Sequence, residues 1–164
     1  MKEVFFFTML SIALVGCSTS KSHMPSSSKA QIQLTNLPKS LIIVQINDIR
    51  ADKGDSENIK SLLKSEIENS LSSDNFTTLQ VSYILEVDIV EYRSYFSLAV
   101  WNGSAKFRAR LISNDKTIIG TCEGSGSSQR SNTMGYSTAK RVAQDAYNTA
   151  VADLLSNLRG FKLN

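Results

Sequence analysis

The spacing of hydrophobic and polar positions divides the chain after residue 39 into alternating strands and helices. Residues 41–46 form a continuous apolar, β-branched run, which is typical of a strand covered on both faces in the centre of a sheet. A polar loop follows, and Asp55 or Ser56 is expected to cap a helix whose apolar residues recur at helical spacing. The recurring residues are Ile59, Leu62, Leu63, Ile67 and Leu71.

Alternating residues predict three antiparallel strands in the second half of the chain. Residues 81–89 alternate strictly, which is typical of a half-exposed strand. The core-facing positions change from odd to even numbers between residues 90 and 95, so a β-bulge is expected there. Asn102-Gly103 is the strongest hairpin signal in the chain and predicts a two-residue turn that pairs Trp101 with Ser104.

A second turn, at residues 114–117, leads into the third of these strands. With a two-residue loop, Cys122 falls opposite Ala109 on the core face, while Glu123 falls opposite Arg108 on the outer face. Cys122 is therefore expected to be a small buried hydrophobe. A catalytic thiol would need a histidine base, and the single histidine of the chain lies near the amino terminus.

Residues 120–136 are rich in Gly and Ser, which predicts a long flexible loop and a candidate binding element. The segment lacks the order of glycines and the Gly-Lys-Ser/Thr ending of phosphate-binding loops. From about Thr138 to Leu158, two adjacent apolar ridges predict a helix. Asp145 and Asp153 interrupt its basic polar face, so a helix lying on a membrane is not favoured.

The order strand, helix, three strands, helix predicts the α+β class. We expect a two-layer sandwich, with a roughly four-stranded and mostly antiparallel sheet and both helices on one face (β-α-β-β-β-α). The other face of the sheet must then meet water, a partner or the amino-terminal segment.

The amino terminus carries the pattern of a lipoprotein signal peptide. A mostly apolar run at residues 4–15 is too short to span a membrane as a helix, and it leads into Leu14-Val15-Gly16-Cys17. The region before this run carries little net positive charge, so a buried strand or helix is the alternative interpretation of residues 4–15. Residues 1–16 are predicted to be removed, and Cys17 is predicted to carry the lipid, including palmitate.

The remaining sequence predicts one domain on a tether. Residues 17–38, the lipidated Cys and a Ser-rich stretch without clear periodicity, are expected to be flexible, and residues 39–164 to form a single periplasmic domain. A short edge strand around Ile32 and Leu34 is the alternative for the end of the tether. Ser18 resembles the sorting signal of Gram-negative lipoproteins, which implies the outer membrane; a Gram-positive membrane lipoprotein is the alternative.

Composition narrows the function classes. The chain is 41% hydrophobic and 20% charged, as expected for a globular protein with one core. Its net charge of +3 is scattered rather than concentrated, so nucleic-acid binding is not expected. With one of the two cysteines lipidated, no disulfide is expected. Without a histidine in the domain, metal sites are poorly supplied, and no cofactor is expected.

A basic stripe is predicted on the outer face of one strand. It comprises Lys106, Arg108 and Arg110, and three acidic residues on neighbouring strands can face it. A solvated sheet surface with cross-strand ion pairs explains the stripe. Docking of an acidic cell-wall polymer or a lipid head group is the alternative. The full candidate partner surface consists of Lys106, Arg108, Arg110, Arg130 and Tyr136.

The chain resembles the YajG-type outer-membrane lipoproteins. The resemblance lies in the lipobox, the Ser-rich segment, the VSYILEVDIVEY strand, the AKFRARLISNDKTIIGTCEGSG hairpin and the closing Ala-rich helix. Other small periplasmic α/β lipoproteins, including penicillin-binding-protein activators and the curli-export lipoprotein, are similar in element order. The resemblance covers roughly residues 39–158 and implies a noncatalytic envelope protein whose partners bind its surface. Unlike the penicillin-binding-protein activators, this chain lacks a tether long enough to pass through the cell wall.

Three function classes follow. The first is a noncatalytic lipoprotein, not an enzyme, that binds an envelope protein or assists assembly. Its contact surface would be the exposed sheet face or residues 125–136. An exposed apolar patch would favour this class. The second is a lipid or small-ligand carrier, with a cavity near Ala105, Ala109, Gly120, Ala146 and Ala150. The third is an envelope glycan hydrolase using Glu86, Asp88, Glu91 or Glu123, although an open sheet seldom forms the required cleft.

Overall fold

The computed structural model describes residues 23–73, 83–131 and 136–163, together with the side chains of these residues except 136 and 137. The predicted signal peptide, Cys17 and the start of the strand predicted at 81–89 lie outside this part of the chain. The described elements are β1 (Leu34–Pro38), a 3₁₀ turn (Lys39–Leu41), β2 (Ile42–Asp48), α1 (Ser56–Ser70), β3 (Leu71–Ser72), β4 (Tyr83–Ser97), β5 (Val100–Ser113), β6 (Ile118–Ser131) and α2 (Tyr136–Leu158).

The four long strands form one sheet in the order β2-β4-β5-β6. β2 and β4 are parallel, and the other two pairs are antiparallel. α1 packs on β2, α2 packs across β4 to β6, and both contribute to one hydrophobic core on the same face. The α+β two-layer sandwich is therefore confirmed. β1 and β3 add a separate two-stranded parallel sheet.

β2 lies at the edge of the sheet, so the prediction of a central strand covered on both faces is wrong. Ile42 and Val44 are buried, but Ile43 between them is 44% exposed. The helices cover only one face of the sheet, and the β-branched run supplies side chains to both faces. Such a run does not by itself distinguish a half-covered strand from a fully covered one.

The first antiparallel hairpin turns at Leu98-Ala99 and not at Asn102-Gly103, so the predicted register is wrong. Gly103 lies inside β5 opposite Ser94. A methyl group on Gly103 would lie 2.0 Å from the carbonyl oxygen of Val142 in α2. The glycine is therefore needed for the close approach of a helix and not for a turn. The predicted bulge is confirmed, since the β4–β5 register shifts between Ile89 and Glu91.

The second hairpin has the predicted register, with Cys122 opposite Ala109 and Glu123 opposite Arg108. β6 then continues to Ser131, so the long flexible loop predicted for residues 120–136 is wrong over residues 120–131. Residues 132–135 lie outside the described part. Gly124 and Gly126 of β6 lie directly beneath α2, where a side chain would not fit: a methyl group on Gly126 would approach the carbonyl oxygen of Ala146 to 2.1 Å.

Both predicted helices are present. α1 buries Ile59, Leu63 and Ile67 as expected. Asp55, at its amino-terminal boundary, has a left-handed backbone (φ 56°) and makes no capping hydrogen bond through its side chain. The two apolar ridges of α2 are buried against the sheet.

Residues 23–38, which we call the N-terminal segment, pack on the domain, so the prediction of a flexible tether does not hold for them. Leu34 and Leu37 are fully buried in the core. Ser26 exchanges two hydrogen bonds with Gln144 of α2 (2.6 and 2.9 Å), and the amide of Ser28 donates to Glu66 of α1. The segment thus bridges the two helices, and the folded domain begins earlier than residue 39.

The N-terminal segment runs between the two ends of the sheet. Nε2 of His23 and Oγ of Ser94 form a buried hydrogen bond (3.1 Å), close to the β4–β5 turn. At the other end, Nδ2 of Asn36 donates to the carbonyl oxygen of Leu158, in the last turn of α2 (3.1 Å). The described chain therefore begins beside the β4–β5 turn.

Candidate functional site: the open face of the sheet

The open face of the sheet, opposite the helices, carries the predicted basic stripe. Nζ of Lys106 and Nε of Arg108 lie 2.7 and 3.2 Å from the carboxylate oxygens of Glu123. Nη2 of Arg110 lies 3.1 Å from both Glu86 and Asp88. The stripe is thus a ladder of cross-strand ion pairs, as its first interpretation predicts, and its cations are neutralised by neighbours within the sheet.

This ion-pair ladder extends to the edge strand β2. Nδ2 of Asn47 donates to Glu86 (2.7 Å) and to Asp88 (3.2 Å). Side-chain hydrogen bonds from Lys106 and Arg108 lower the pKa of Glu123, which keeps this exposed carboxyl ionised. The ladder holds its own acids and bases in place and leaves little uncompensated charge for an acidic ligand.

Beside the ladder, four isoleucines form a row across the open face. The strand register pairs Ile43 with Ile84, Ile84 with Ile112, and Ile112 with Ile118. Ile43 and Ile118, at the two ends of this isoleucine row, are 44% and 54% exposed, and the middle two are half-buried. The row is an apolar strip on a face that no described helix covers. Sequence reasoning missed it because its members come from four separate segments.

Arg130, one of the predicted partner residues, does not join the ladder. Arg130 lies on the helix side of the sheet, where its Nη2 atom is 2.8 Å from a carboxylate oxygen of Asp145 in α2. Tyr136 is the first residue of α2, and its side chain lies outside the described part. Of the four predicted partner residues with described side chains, Lys106, Arg108 and Arg110 therefore lie together, and Arg130 lies on the other side of the sheet.

The four carboxylates proposed for a hydrolase each face a cation. Glu86, Asp88 and Glu123 belong to the ladder, and Glu91 lies 2.8 Å from Nε of Arg93. Within residues 23–73, 83–131 and 136–163, no cluster of three or more His, Cys, Asp or Glu residues is arranged to hold a metal ion.

The small residues considered for a carrier cavity instead allow close packing. Ala105, Ala109, Ala146 and Ala150 are buried, and Gly120 packs against the ring of Phe161. A cleft of about 320 Å³ lies elsewhere, between the loop at residues 50–52 and residues 90–93 of β4. Arg50, which lines this cleft, is held by Asp48 on one side and by the carbonyl oxygen of Tyr92 on the other (2.7 and 3.2 Å).

Cys122 is half-buried, with its side chain against the core. Burial, together with the nearby carboxylates of Asp153 and Glu123, raises the pKa of its thiol to about 11. The thiol is therefore protonated at neutral pH, and the protonated form is a poor nucleophile. This agrees with its interpretation as a small hydrophobe.

The buried Asp48–Arg50 pair predicts a pH dependence of stability. Burial raises the pKa of Asp48, but hydrogen bonds from Arg50 and Ser56 outweigh it and lower the pKa to about 2. A folded-state pKa below the unfolded value stabilises the fold above about pH 4, and this contribution is lost as the pH falls toward 2. We expect a loss of about 2 kcal/mol from this carboxyl.

Urea unfolding between pH 2 and pH 6 measures this loss. Asp48→Asn should be less stable at neutral pH and should show a flatter profile than the wild type between pH 4 and pH 2. Asp52→Asn, at an exposed position, is the matched control and should keep the wild-type slope. Equal slopes for the wild type and Asp48→Asn would contradict the assignment.

Neither described helix is long and apolar enough to cross a membrane. No protein-family model matches the chain, and a search of curated proteins finds no match. The fold is similar to that of a protein from Xanthomonas campestris described under the family model DUF330. The two are 10% identical with a TM-score of 0.50, over 85% of this chain and 91% of that one.

Two further structures match over most of their length. The PelC dodecamer from Paraburkholderia phytofirmans is 14% identical with a TM-score of 0.42, over 87% of this chain and 97% of that one. A minor lipoprotein from Acinetobacter baumannii is 12% identical with a TM-score of 0.40, over 75% and 90%. Both TM-scores are too low to indicate a shared fold or function. The similarity to the Xanthomonas campestris protein therefore concerns the fold alone, and the function has to be argued from the residues of this chain.

Proposed function

We propose that this chain is a noncatalytic, YajG-type lipoprotein of the bacterial outer membrane that binds another envelope protein through the open face of its sheet. Cys17 carries the lipid, and the domain faces the periplasm. The isoleucine row beside the ion-pair ladder is the observation that carries the proposal. No nucleic acid and no cofactor take part.

The isoleucine row and its surroundings have the composition of a protein interface. Four strands at ordinary spacing place the ends of the row about 14 Å apart. Isoleucines at both ends are exposed to water, which is unfavourable unless a partner covers them. The ladder supplies a polar margin of paired charges, as the rims of protein interfaces do.

The row lies far from the start of the described chain. β4 leads from Ile84 in the row to Ser97 at the β4–β5 turn, a distance of about 40 Å for an extended strand. His23 lies at the turn end of the sheet. A chain anchored at Cys17 therefore presents the row on the part of the domain that is remote from the anchor, where a periplasmic partner can reach it.

The chemistry of the described residues favours binding over catalysis. The candidate carboxylates are held in ion pairs, and the thiol of Cys122 is kept protonated. The alanines near α2 pack closely against the sheet and do not outline a cavity for a carried ligand. These contacts support a binding module over a hydrolase or a carrier.

Photocrosslinking in cells tests the proposed function. A photoreactive residue at Gln45, exposed on the open face next to Ile43, should capture one envelope protein. Ile118→Asp should reduce this capture by about tenfold, since a buried charge is not tolerated in an apolar contact. A photoreactive residue at Thr149, exposed on the helix layer, is the control and should not capture the same protein.

Two results would contradict the proposal. Capture of the same protein from Thr149, or capture from Gln45 that Ile118→Asp leaves unchanged, would place the contact elsewhere. Anchoring is measured separately, because Cys17→Ala should abolish palmitate labelling and release the protein from the membrane fraction. Continued palmitate labelling of Cys17→Ala would contradict the assignment of the lipid to this residue.

A further inference from the structure

The β4–β5 turn places a large hydrophobic residue where the fold makes no use of it. Leu98 is 95% exposed. Leu98 and Ala99 both have left-handed backbones, with φ of 49° and 64°. Asn and Gly are the residues that favour such a two-residue turn, and other residues adopt it at a cost. A strained, solvent-exposed leucine at the end of a long hairpin points to a contact outside the molecule.

Aromatic and basic residues surround this leucine. The rings of Phe96 and Trp101, directly behind the turn, lie 5.4 Å apart. The guanidinium of Arg93 lies 5.0 Å from the centre of the Tyr95 ring. An exposed aliphatic side chain followed by Trp, Tyr and Arg matches the order of side chains from the acyl chains to the head groups of a bilayer.

The start of α2 adds positive charge at the same end of the sheet. Val142 lies against Gly103, close to the β4–β5 turn. Lys140 and Arg141 therefore lie near the turn, and both are exposed. Cations at this position suit the phosphates and the anionic lipids of a membrane surface.

The length of chain between Cys17 and the described residues brings the lipid to this end. His23 is fixed to Ser94, four residues before Leu98 in β4. The six residues from Cys17 to His23 reach at most about 20 Å when fully extended. A lipid on Cys17 therefore cannot move far from the turn.

We propose that the hairpin tip, residues 96–101, contacts the phospholipid bilayer, with Leu98 inserted below the head groups and Trp101 at their level. This inference rests on the proposed lipid anchor at Cys17. The tip then acts as a second contact with the bilayer beside the lipid.

Trp101 provides a native probe, because it is the only tryptophan of the chain. The full lipidated protein is incorporated into vesicles of phosphatidylethanolamine and phosphatidylglycerol, with or without bromine atoms on the acyl chains. We expect the brominated lipids to reduce Trp101 fluorescence by about twofold, since bromine quenches only a nearby indole at the membrane interface. Leu98→Asp should remove most of this quenching.

Ile118→Asp is the matched control, because it changes an exposed aliphatic residue at the opposite end of the sheet, and it should leave the quenching unchanged. A second variant, Leu98→Asn with Ala99→Gly, keeps a favourable hairpin turn and removes the inserted side chain. It should lose the quenching while its melting temperature is no lower than that of the wild type.

The possible outcomes distinguish a failure of the proposed membrane contact from a failure of the proposed anchor. Absence of quenching in the wild type, or quenching that persists in the Asn-Gly variant, would overturn the membrane contact and leave the anchor at Cys17 intact. Protection of Trp101 from acrylamide in cells without quenching by brominated lipid would assign the tip to a protein and also overturn it. If Cys17→Ala kept its palmitate, the anchor itself would fail.

Discussion

Replacing Gly126 by Val should destabilise the fold by about 3 kcal/mol or more. Even a single methyl group at this position would lie 2.1 Å from the carbonyl oxygen of Ala146 and 2.7 Å from the amide nitrogen of Ala150. Both atoms belong to the backbone of α2, so no side-chain rotation relieves the clash. The helix must move away from β6 and open the core. Urea unfolding measures the change.

Gly160→Ala is the matched control for this prediction. The closest atom to a methyl group there is the carbonyl oxygen of Asn157 at 3.3 Å, and the free energy of unfolding should change by no more than about 0.5 kcal/mol. A Gly126→Val variant within about 1 kcal/mol of the wild type would mean that α2 does not lie this close to the sheet.

Replacing Leu37 by Ala should cost about 2–5 kcal/mol, the usual range for a fully buried leucine. Leu37 lies in β1, inside the stretch whose composition predicts a tether, but it is completely buried in the core. A residue in a flexible tether would contribute nothing to stability. The same unfolding measurement therefore tests whether the N-terminal segment is part of the domain.

Thr35→Ala, two residues earlier on the exposed side of β1, is the control and should be close to neutral. If Leu37→Ala were as mild as Thr35→Ala, the N-terminal segment would not be packed as described. Proteolysis adds a second reading, because Leu37→Ala should also make residues 23–38 more accessible to cleavage.

Local periodicity predicted most of the fold. The apolar residues of α1 and α2, the bulge near residue 90 and the register of Cys122 against Ala109 all follow from spacing between near neighbours in sequence. The prediction of the first hairpin was wrong because Gly103 allows the close approach of α2 and does not form a turn. Gly103 and Val142, which meet there, are 39 positions apart in the sequence. Spacing along one strand carries no information about such a contact.

The candidate site could be predicted only in part, because local spacing does not reveal contacts between distant segments. The pairing of the basic stripe could be predicted, since the partners of Arg108 and Arg110 follow from the strand register. The isoleucine row could not, because it requires the order of all four strands and the edge position of β2. The apolar run around Ile43 predicts a strand covered on both faces, and Ile118 is a single apolar residue beside a turn, which predicts no surface by itself.

The N-terminal segment shows a further limit of composition. Its serines and glutamines are typical of a flexible stretch, yet its backbone is held by side chains of α1 and α2, far away in sequence. The two buried leucines of β1 could be recognised only as a short apolar interruption of a polar stretch.

The packed N-terminal segment changes how a chain anchored at Cys17 would search for its partner. A free stretch of 22 residues would let the domain tumble and explore a shell of some tens of ångströms above the bilayer. Because Cys17 and His23 are only six positions apart, the domain of an anchored chain would stay within about 20 Å of its lipid. The isoleucine row would then stay within one narrow layer beside the membrane as the lipid diffuses. Its effective concentration toward a membrane-bound partner with a matching surface at that height is correspondingly raised, without any additional contact between the two proteins.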